Sequence, residues 1–431
     1  MANLIINGGK KLSGTITPSG NKNAVLPILC STLLTSKPVT LRNVPDIIDV
    51  NKLVQVMKSL GSNISWDKDK SVMHVKNDRI NVDSFDGNFP LDMRSSILFF
   101  GPLTSRLKKV SFSTEIKGCS LGIREVDTHI DALKCLGAQV EIQDNLVNFK
   151  IQDRFRGNNH WPYYISVTTT ENFIMAAVLA KGTSILMNAA SEPHVQELCT
   201  FLNSIGADIK GIGSSKLKIR GVDQLEGTEY TIGSDHHEIT TFLALGAMTG
   251  GKIVVNKVSA QHFPLIISQF KKLGVEIEMA NGQAIVEENQ KMEIVQPYTK
   301  NMITKIECHP WPYFPVDLIP LLMALATKSK GQIMFWNKMY EGANLWVPKL
   351  MSFGAKVLLC DPHRVLIWGG IPLKPAVVDA PDIIRATVAL FMVAQSVKGK
   401  SIINNAGVIK RAHPGFVDKM VTLGADVEWE E

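Results

Sequence analysis

The densest group of chemically capable side chains is Lys117-Gly118-Cys119-Ser120-Leu121-Gly122-Ile123-Arg124, with Asp127 and His129 just beyond. A thiol between glycines suits a loop that solvent reaches. The nearby cations Lys117 and Arg124 favour its thiolate. Cys119 is therefore either a reactive acid–base group or an ordinary loop cysteine beside a surface arginine. Asp317, in Phe314-Pro315-Val316-Asp317, either takes a proton from a substrate hydroxyl or caps a loop. Lys22, Arg124, Arg385 and Arg411 are cations of the kind that clamp carboxylate and phosphate, or they are solvated surface charges. Lys22 precedes a wholly apolar helical stretch, so it stands at a helix N-terminus whose dipole also attracts anions. His129 either bonds a ligand or packs the helix that ends at Leu136.

The chain that must position these groups has 431 residues, a length that predicts two or three domains. With 45% hydrophobic and 20% charged residues it is globular rather than disordered. No apolar run reaches bilayer length, and the first residues, Met1 to Asn7, predict a strand rather than a signal peptide. The net charge of +6 is mild and spread along the chain, which suits a cleft for anions. No basic run with interleaved aromatics points to nucleic acid. The six cysteines form no C-x-x-C pair, which argues against a disulfide frame or a zinc site and fits a reducing cytoplasm. Cys30, Cys135, Cys199 and Cys360 lie in apolar or helical patterns and are expected to be inert.

A repeat organises the chain. An apolar-Gly-small phrase ends a helical pattern six times, at Gly61, Gly137, Gly206, Gly274, Gly354 and Gly424, with a period of roughly 70 to 80 residues. Glycine there fits a helix C-cap that feeds a strand. Six further helical stretches are apolar nearly all round and so predict buried helices: 24–34, 96–103, 172–180, 241–248, 318–326 and 386–397. Six such units are too many for one core, so two domains of three units each are expected, with the ligand site in the cleft between them.

This pattern resembles the enolpyruvyl transferases from the first residue to the C-terminus. The resemblance implies an α/β (α+β) fold. Its form is a two-domain inside-out α/β barrel, each domain three repeats of a βαβαββ-type unit with buried central helices. It places residues 22–233 in one domain and residues 1–21 and 234–431 in the other. The branch whose motifs match transfers the enolpyruvyl group of phosphoenolpyruvate to the 3-hydroxyl of UDP-N-acetylglucosamine and releases phosphate. The implied protein is a cytoplasmic monomer that handles two small-molecule substrates without cofactor or metal.

Ser19-Gly20-Asn21-Lys22-Asn23-Ala24 is similar to the family's S-G-x-K-N-A, whose Lys-Asn pair contacts phosphoenolpyruvate. Met93-Arg94-Ser95-Ser96 resembles M-R-A-S, whose arginine helps to hold the nucleotide sugar. The Gly118 to His129 segment resembles G-C-x-I-G-x-R-P-V-D-x-H. That match gives Cys119 a catalytic role; Phe314-Pro315-Val316-Asp317 resembles F-P-T-D and gives one to Asp317, and Lys22 joins them. Lys22, Asn23, Arg124, Arg385 and Arg411 would hold phosphoenolpyruvate. Arg94, Arg124, Glu125, Val126, Asp127, Thr128, His129, Tyr164, Ile165, Ser166, Val167, Asp317 and Met339 would hold the nucleotide sugar.

The chain also departs from the pattern. Ala343 stands where the family has an arginine near Tyr340-Glu341, with Lys338 the nearest candidate to replace that cation. Thr168 replaces a glycine, Glu125 a proline, and Tyr164 a lysine of some members. His236-His237 follows Asp235 where Arg-Ile is usual. These changes leave room for another uridine nucleotide or sugar acceptor in a specialised-metabolite pathway, or for a relative that binds without turnover.

Overall fold

The computed structural model describes residues 2–81, 94–113, 125–144, 146–299 and 301–430. Lys117, Cys119 and Arg124 lie outside the described residues. The chain divides into two compact units, each with its own apolar cluster. One unit combines residues 2–19 with 234–430; the other holds the described residues between 20 and 233.

In the first unit three four-stranded sheets share one pairing scheme. In each, a parallel edge strand is followed by two antiparallel neighbours. Val377–Asp379 pairs parallel to Gly399–Asn404, which is followed by Asn3–Gly8 and Val427–Glu430. Gly14–Ile16 pairs parallel to Ile253–Val255, followed by Gln283–Val286 and Ile277–Ala280. Thr304–Cys308 pairs parallel to Gly331–Asn337, followed by Arg364–Gly369 and Lys356–Asp361. The N-terminal segment thus supplies strands to two sheets of this unit.

The second unit repeats the scheme twice. Thr228–Thr231 pairs parallel to Val39–Arg42, and Asn159–His160 parallel to Thr183–Met187. Its third sheet, Lys109–Ser113, Leu146–Lys150 and Gln139–Gln143, is antiparallel throughout its described strands.

The apolar helical stretches are buried helices. Ile319–Lys328 is buried from Ile319 to Thr327, and its Pro320 sits in the first turn, where an amide has no intrahelical partner. It packs on Ile384–Gln395 and His236–Thr249. In the other unit Lys22–Ser31, Phe100–Leu107 and Val167–Ala177 are similarly buried. With no polar face to offer water, such helices are stable only inside; each fully buried Leu or Phe contributes roughly 1.5–3 kcal/mol. The six repeat glycines all have positive φ, between 75° and 101°. At Gly61 an added Cβ would also lie 2.3 Å from the Arg79 carbonyl oxygen, so both backbone and space demand glycine there.

Two expectations change. Cys360 is exposed and Cys135 half-buried, whereas Cys30, Cys199 and Cys308 are buried. Cys360 lies on strand Lys356–Asp361, whose residues alternate in exposure, and it falls on the outward phase. Its apolar sequence neighbours therefore did not imply burial.

Burial pushes the Glu197 carboxyl up to about 7, although the Gly233 amide donates to it at 2.6 Å and opposes the rise. The unfolded chain releases this proton near 4.5 and the folded chain near 7. Stability conferred by the held proton is therefore lost as pH rises through that window. Glu197→Gln is expected to raise the melting temperature at pH 8 and leave it little changed at pH 4. Calorimetry showing equal shifts at both pH values would remove Glu197 from the account.

Candidate active site

In the unit holding residues 234–430, three buried helices present their N-terminal ends to one another's side chains. Asp317 lies on a single turn, Val316–Leu318, at the head of Ile319–Lys328, with its side chain 40% exposed. Asp235 caps His236–Thr249 and accepts from the backbone amides of His237 and Glu238. Arg385 is the second residue of Ile384–Gln395 and is buried. Helix N-termini attract anions, so this is a favourable place for phosphate or carboxylate groups.

Two polar chains start from the head of His236–Thr249. In the first, the His237 ring lies 3.0 Å from Asp235 Oδ1 through Nδ1 and 3.6 Å from Asp317 Oδ2 through Nε2. Burial alone would raise the Asp235 carboxyl. The His237 ring, the Arg385 guanidinium and His236 outweigh it and hold Asp235 well below the usual carboxylate range. In the second, Arg385 Nη1 meets His413 Nε2 at 2.5 Å. Arginine can only donate, so His413 accepts there and carries its proton on Nδ1, which faces Glu238 Oε1 at 3.9 Å. Lys419 Nζ lies 2.6 Å from the same Glu238 oxygen, and the Ser19 amide donates to the other at 2.5 Å. Burial pushes the His413 imidazolium down, in part opposed by Glu238. The arrangement fixes the Arg385 fork.

Arg411 closes the two-turn 3-10 segment Ala406–Arg411 and is half-buried. The Met339 amide donates to Asn337 Oδ1 at 3.0 Å. Lys338, the nearest candidate to replace the cation absent at Ala343, is held by partners of its own. Its ammonium is 3.0 Å from Glu307 Oε2 and 4.0 Å above the Trp336 ring, contacts that fix where its charge stands.

In the other unit Lys22 is the first residue of its helix, and the capping Asn21 side chain accepts from the Asn23 amide at 2.8 Å. Lys22 Nζ pairs with Asp49 Oδ2 at 2.6 Å, with side chains only 13% and 7% exposed. An anion entering here meets an ammonium already positioned, and removing either partner would strand a charge.

The candidates for the nucleotide sugar come together at two helix heads. Tyr163 donates to Glu125 Oε2 at 3.0 Å, and its ring meets that of the exposed Tyr164 edge-on at 5.1 Å. Asp127 opens helix Asp127–Cys135 and is exposed, whereas Val126 and Ile165 are half-buried against the core. Ser166 caps Val167–Ala177 by accepting from the Thr169 amide. Thr128 is buried with its hydroxyl 2.8 Å from that of Thr169. His129 is fully buried. Asn172 accepts from the Gly101 amide and donates to the Ile97 carbonyl, so its remaining N–H points at His129 Nδ1. Nε2 then carries the proton and donates to Thr168 Oγ1 at 3.2 Å. Arg94 opens the short helical segment Arg94–Phe99.

Sequence reasoning did not find Asp49, Glu238, His413 or Lys419 as partners. His236-His237 was visible only as a departure from the family pattern.

The fold is that of the enolpyruvyl transferases. The enolpyruvyl transferase NikO from Streptomyces tendae superposes with a TM-score of 0.86 at 20% identity, over 99% of this chain and 98% of that one. An EPSP synthase from Acinetobacter baumannii superposes over 100% of both chains with a TM-score of 0.77 at 16% identity. The chain belongs to the EPSP synthase (3-phosphoshikimate 1-carboxyvinyltransferase) family of enolpyruvyl transferases, whose profile matches residues 6–420. It is 38% identical over 428 residues to the UDP-N-acetylglucosamine 1-carboxyvinyltransferase of Borreliella burgdorferi, covering 99% of each chain. It is 39% identical over 432 residues to that of Treponema denticola, covering 100% of each. No helix among the described residues is long and apolar enough to cross a membrane.

Proposed function

We propose that this chain transfers the enolpyruvyl group of phosphoenolpyruvate to the 3-hydroxyl of UDP-N-acetylglucosamine with release of phosphate, the first committed step of peptidoglycan synthesis. The observation that carries this reading is full-length identity of 38–39% to relatives of that name. Asp317 removes the hydroxyl proton as the oxygen attacks C2 of phosphoenolpyruvate, and Cys119 protonates C3. Lys22, Asn23, Arg124, Arg385 and Arg411 hold the substrate's phosphate and carboxylate. Arg94, residues 124–129, residues 164–167 and Met339 receive the nucleotide sugar. The three-sheet units with buried helices support an inside-out α/β barrel for each of two domains, 22–233 and 1–21 with 234–431. The reaction draws on residues of both. The enzyme works as a cytoplasmic monomer without cofactor.

Phosphate release should be measured with phosphoenolpyruvate and, in turn, UDP-N-acetylglucosamine, UMP and shikimate 3-phosphate. Turnover with the first acceptor alone is the expected result. Faster release with either of the others would overturn the assignment.

A further inference from the structure

The His236-His237 pair departs from the family pattern and stands beside a proposed catalytic group, Asp317. Asp235 is acceptor-only when ionised, so the 3.0 Å contact requires a proton on His237 Nδ1. The other ring nitrogen, Nε2, faces Asp317 Oδ2 at 3.6 Å. The ring is thus held between two carboxylates, one buried and one 40% exposed. Its tautomer is set by the buried one.

We propose that His237 is a positioning residue for Asp317: its Nε2 receives the proton that Asp317 has taken from the acceptor hydroxyl, and Asp235 holds the imidazolium so formed. This rests on the reading of Asp317 as the base. The acceptor O–H bond breaks as the carboxyl O–H bond forms, and the oxygen's electron pair makes the bond to C2. Rotation of the partly exposed carboxyl then presents the proton to Nε2; the carboxyl O–H bond breaks and the N–H bond forms, while Nδ1 keeps its own proton. This second transfer restores the Asp317 carboxylate for the next acceptor. The ring is only 3% exposed, so the proton leaves by the same path, through Asp317 to water or to the departing phosphate.

The charged and titratable groups around the ring come from several elements. Asp235, His236 and Glu238 share its helix, with the His236 ring 4.0 Å away. Asp317 comes from the turn before Ile319–Lys328, and Arg385 from Ile384–Gln395. His413 and Lys419 stand behind Glu238. Cys308 is close to Asp317, but burial pushes its thiol up to about 12 and keeps it neutral.

The test compares pH profiles of kcat and kcat/KM for wild type, His237→Gln and Asp235→Asn, using phosphoenolpyruvate and UDP-N-acetylglucosamine. In both variants kcat should fall about tenfold with little change in KM, and the acidic limb should move to lower pH. Profiles that superimpose on wild type overturn the proposal. A second readout does not need turnover. The ring nitrogen signals of His237, followed by NMR, should titrate about one unit or more lower in Asp317→Asn than in wild type. Identical titrations overturn the proposal, and this arm also decides it should His237→Gln fail to fold. Absence of phosphate release by wild type would instead count against the function itself, while the NMR comparison would still judge the contact.

Discussion

Asp317→Asn is expected to lower turnover about a hundredfold or more while changing acceptor affinity only slightly. That loss corresponds to about 2.7 kcal/mol of transition-state stabilisation. The amide keeps the size of the carboxylate and one acceptor oxygen, so a bound hydroxyl still finds a partner. It cannot take the proton. The position supports the role: the side chain heads a buried helix whose packing fixes its origin, yet the carboxyl is partly open to solvent. Steady-state kinetics and acceptor titration calorimetry separate the two effects. Turnover close to wild type would make Asp317 a structural carboxylate and remove the base from the proposed reaction.

Cys119 is expected to react with an anionic electrophile shaped like phosphoenolpyruvate, such as fosfomycin, at least about tenfold faster than any other cysteine. Lys117 and Arg124, close in sequence, favour its thiolate, and the cations proposed to hold substrate phosphate would also hold the reagent. Burial pushes Cys199 and Cys308 up to about 12 and raises Cys30 and Cys135. These four are therefore poor nucleophiles while the fold persists. Cys360 is exposed, so a neutral alkylating agent should label it as well. The anionic reagent should not, because Cys360 lies on a strand edge with no proposed anion site. Peptide mass spectrometry after brief exposure distinguishes the outcomes. Equal labelling of Cys119 and Cys360 by the anionic reagent would show that no substrate-binding cations assist Cys119.

The features legible in sequence are those that a short window encodes. An all-apolar stretch such as Leu321 to Ala326 must lie in the interior, because no face of it tolerates water. Glycine recurring after an amphipathic helix marks a backbone turn that other residues resist, and all six such glycines have positive φ. Lys22 at a helix head follows from its place before Ala24, and the motif order along the chain pointed to the family.

The pairings could not be read this way, because each joins residues far apart in the chain. Lys22 meets Asp49 from the next helix; His237 meets Asp317, and Arg385 meets His413, which faces Glu238. Those meetings arise when buried helices pack side by side and their heads align, an outcome of burial rather than of local pattern. The same cause chose the partners of two further residues. Lys338 is engaged by Glu307 and Trp336, and His129 is enclosed by Asn172 and Thr168. Cys360 turns outward because strand phase, not apolar company, decides its side. Residue types and their order determined which chemistry the chain carries; only packing decided which charges stand next to which, because electrostatic partners are chosen by distance in space.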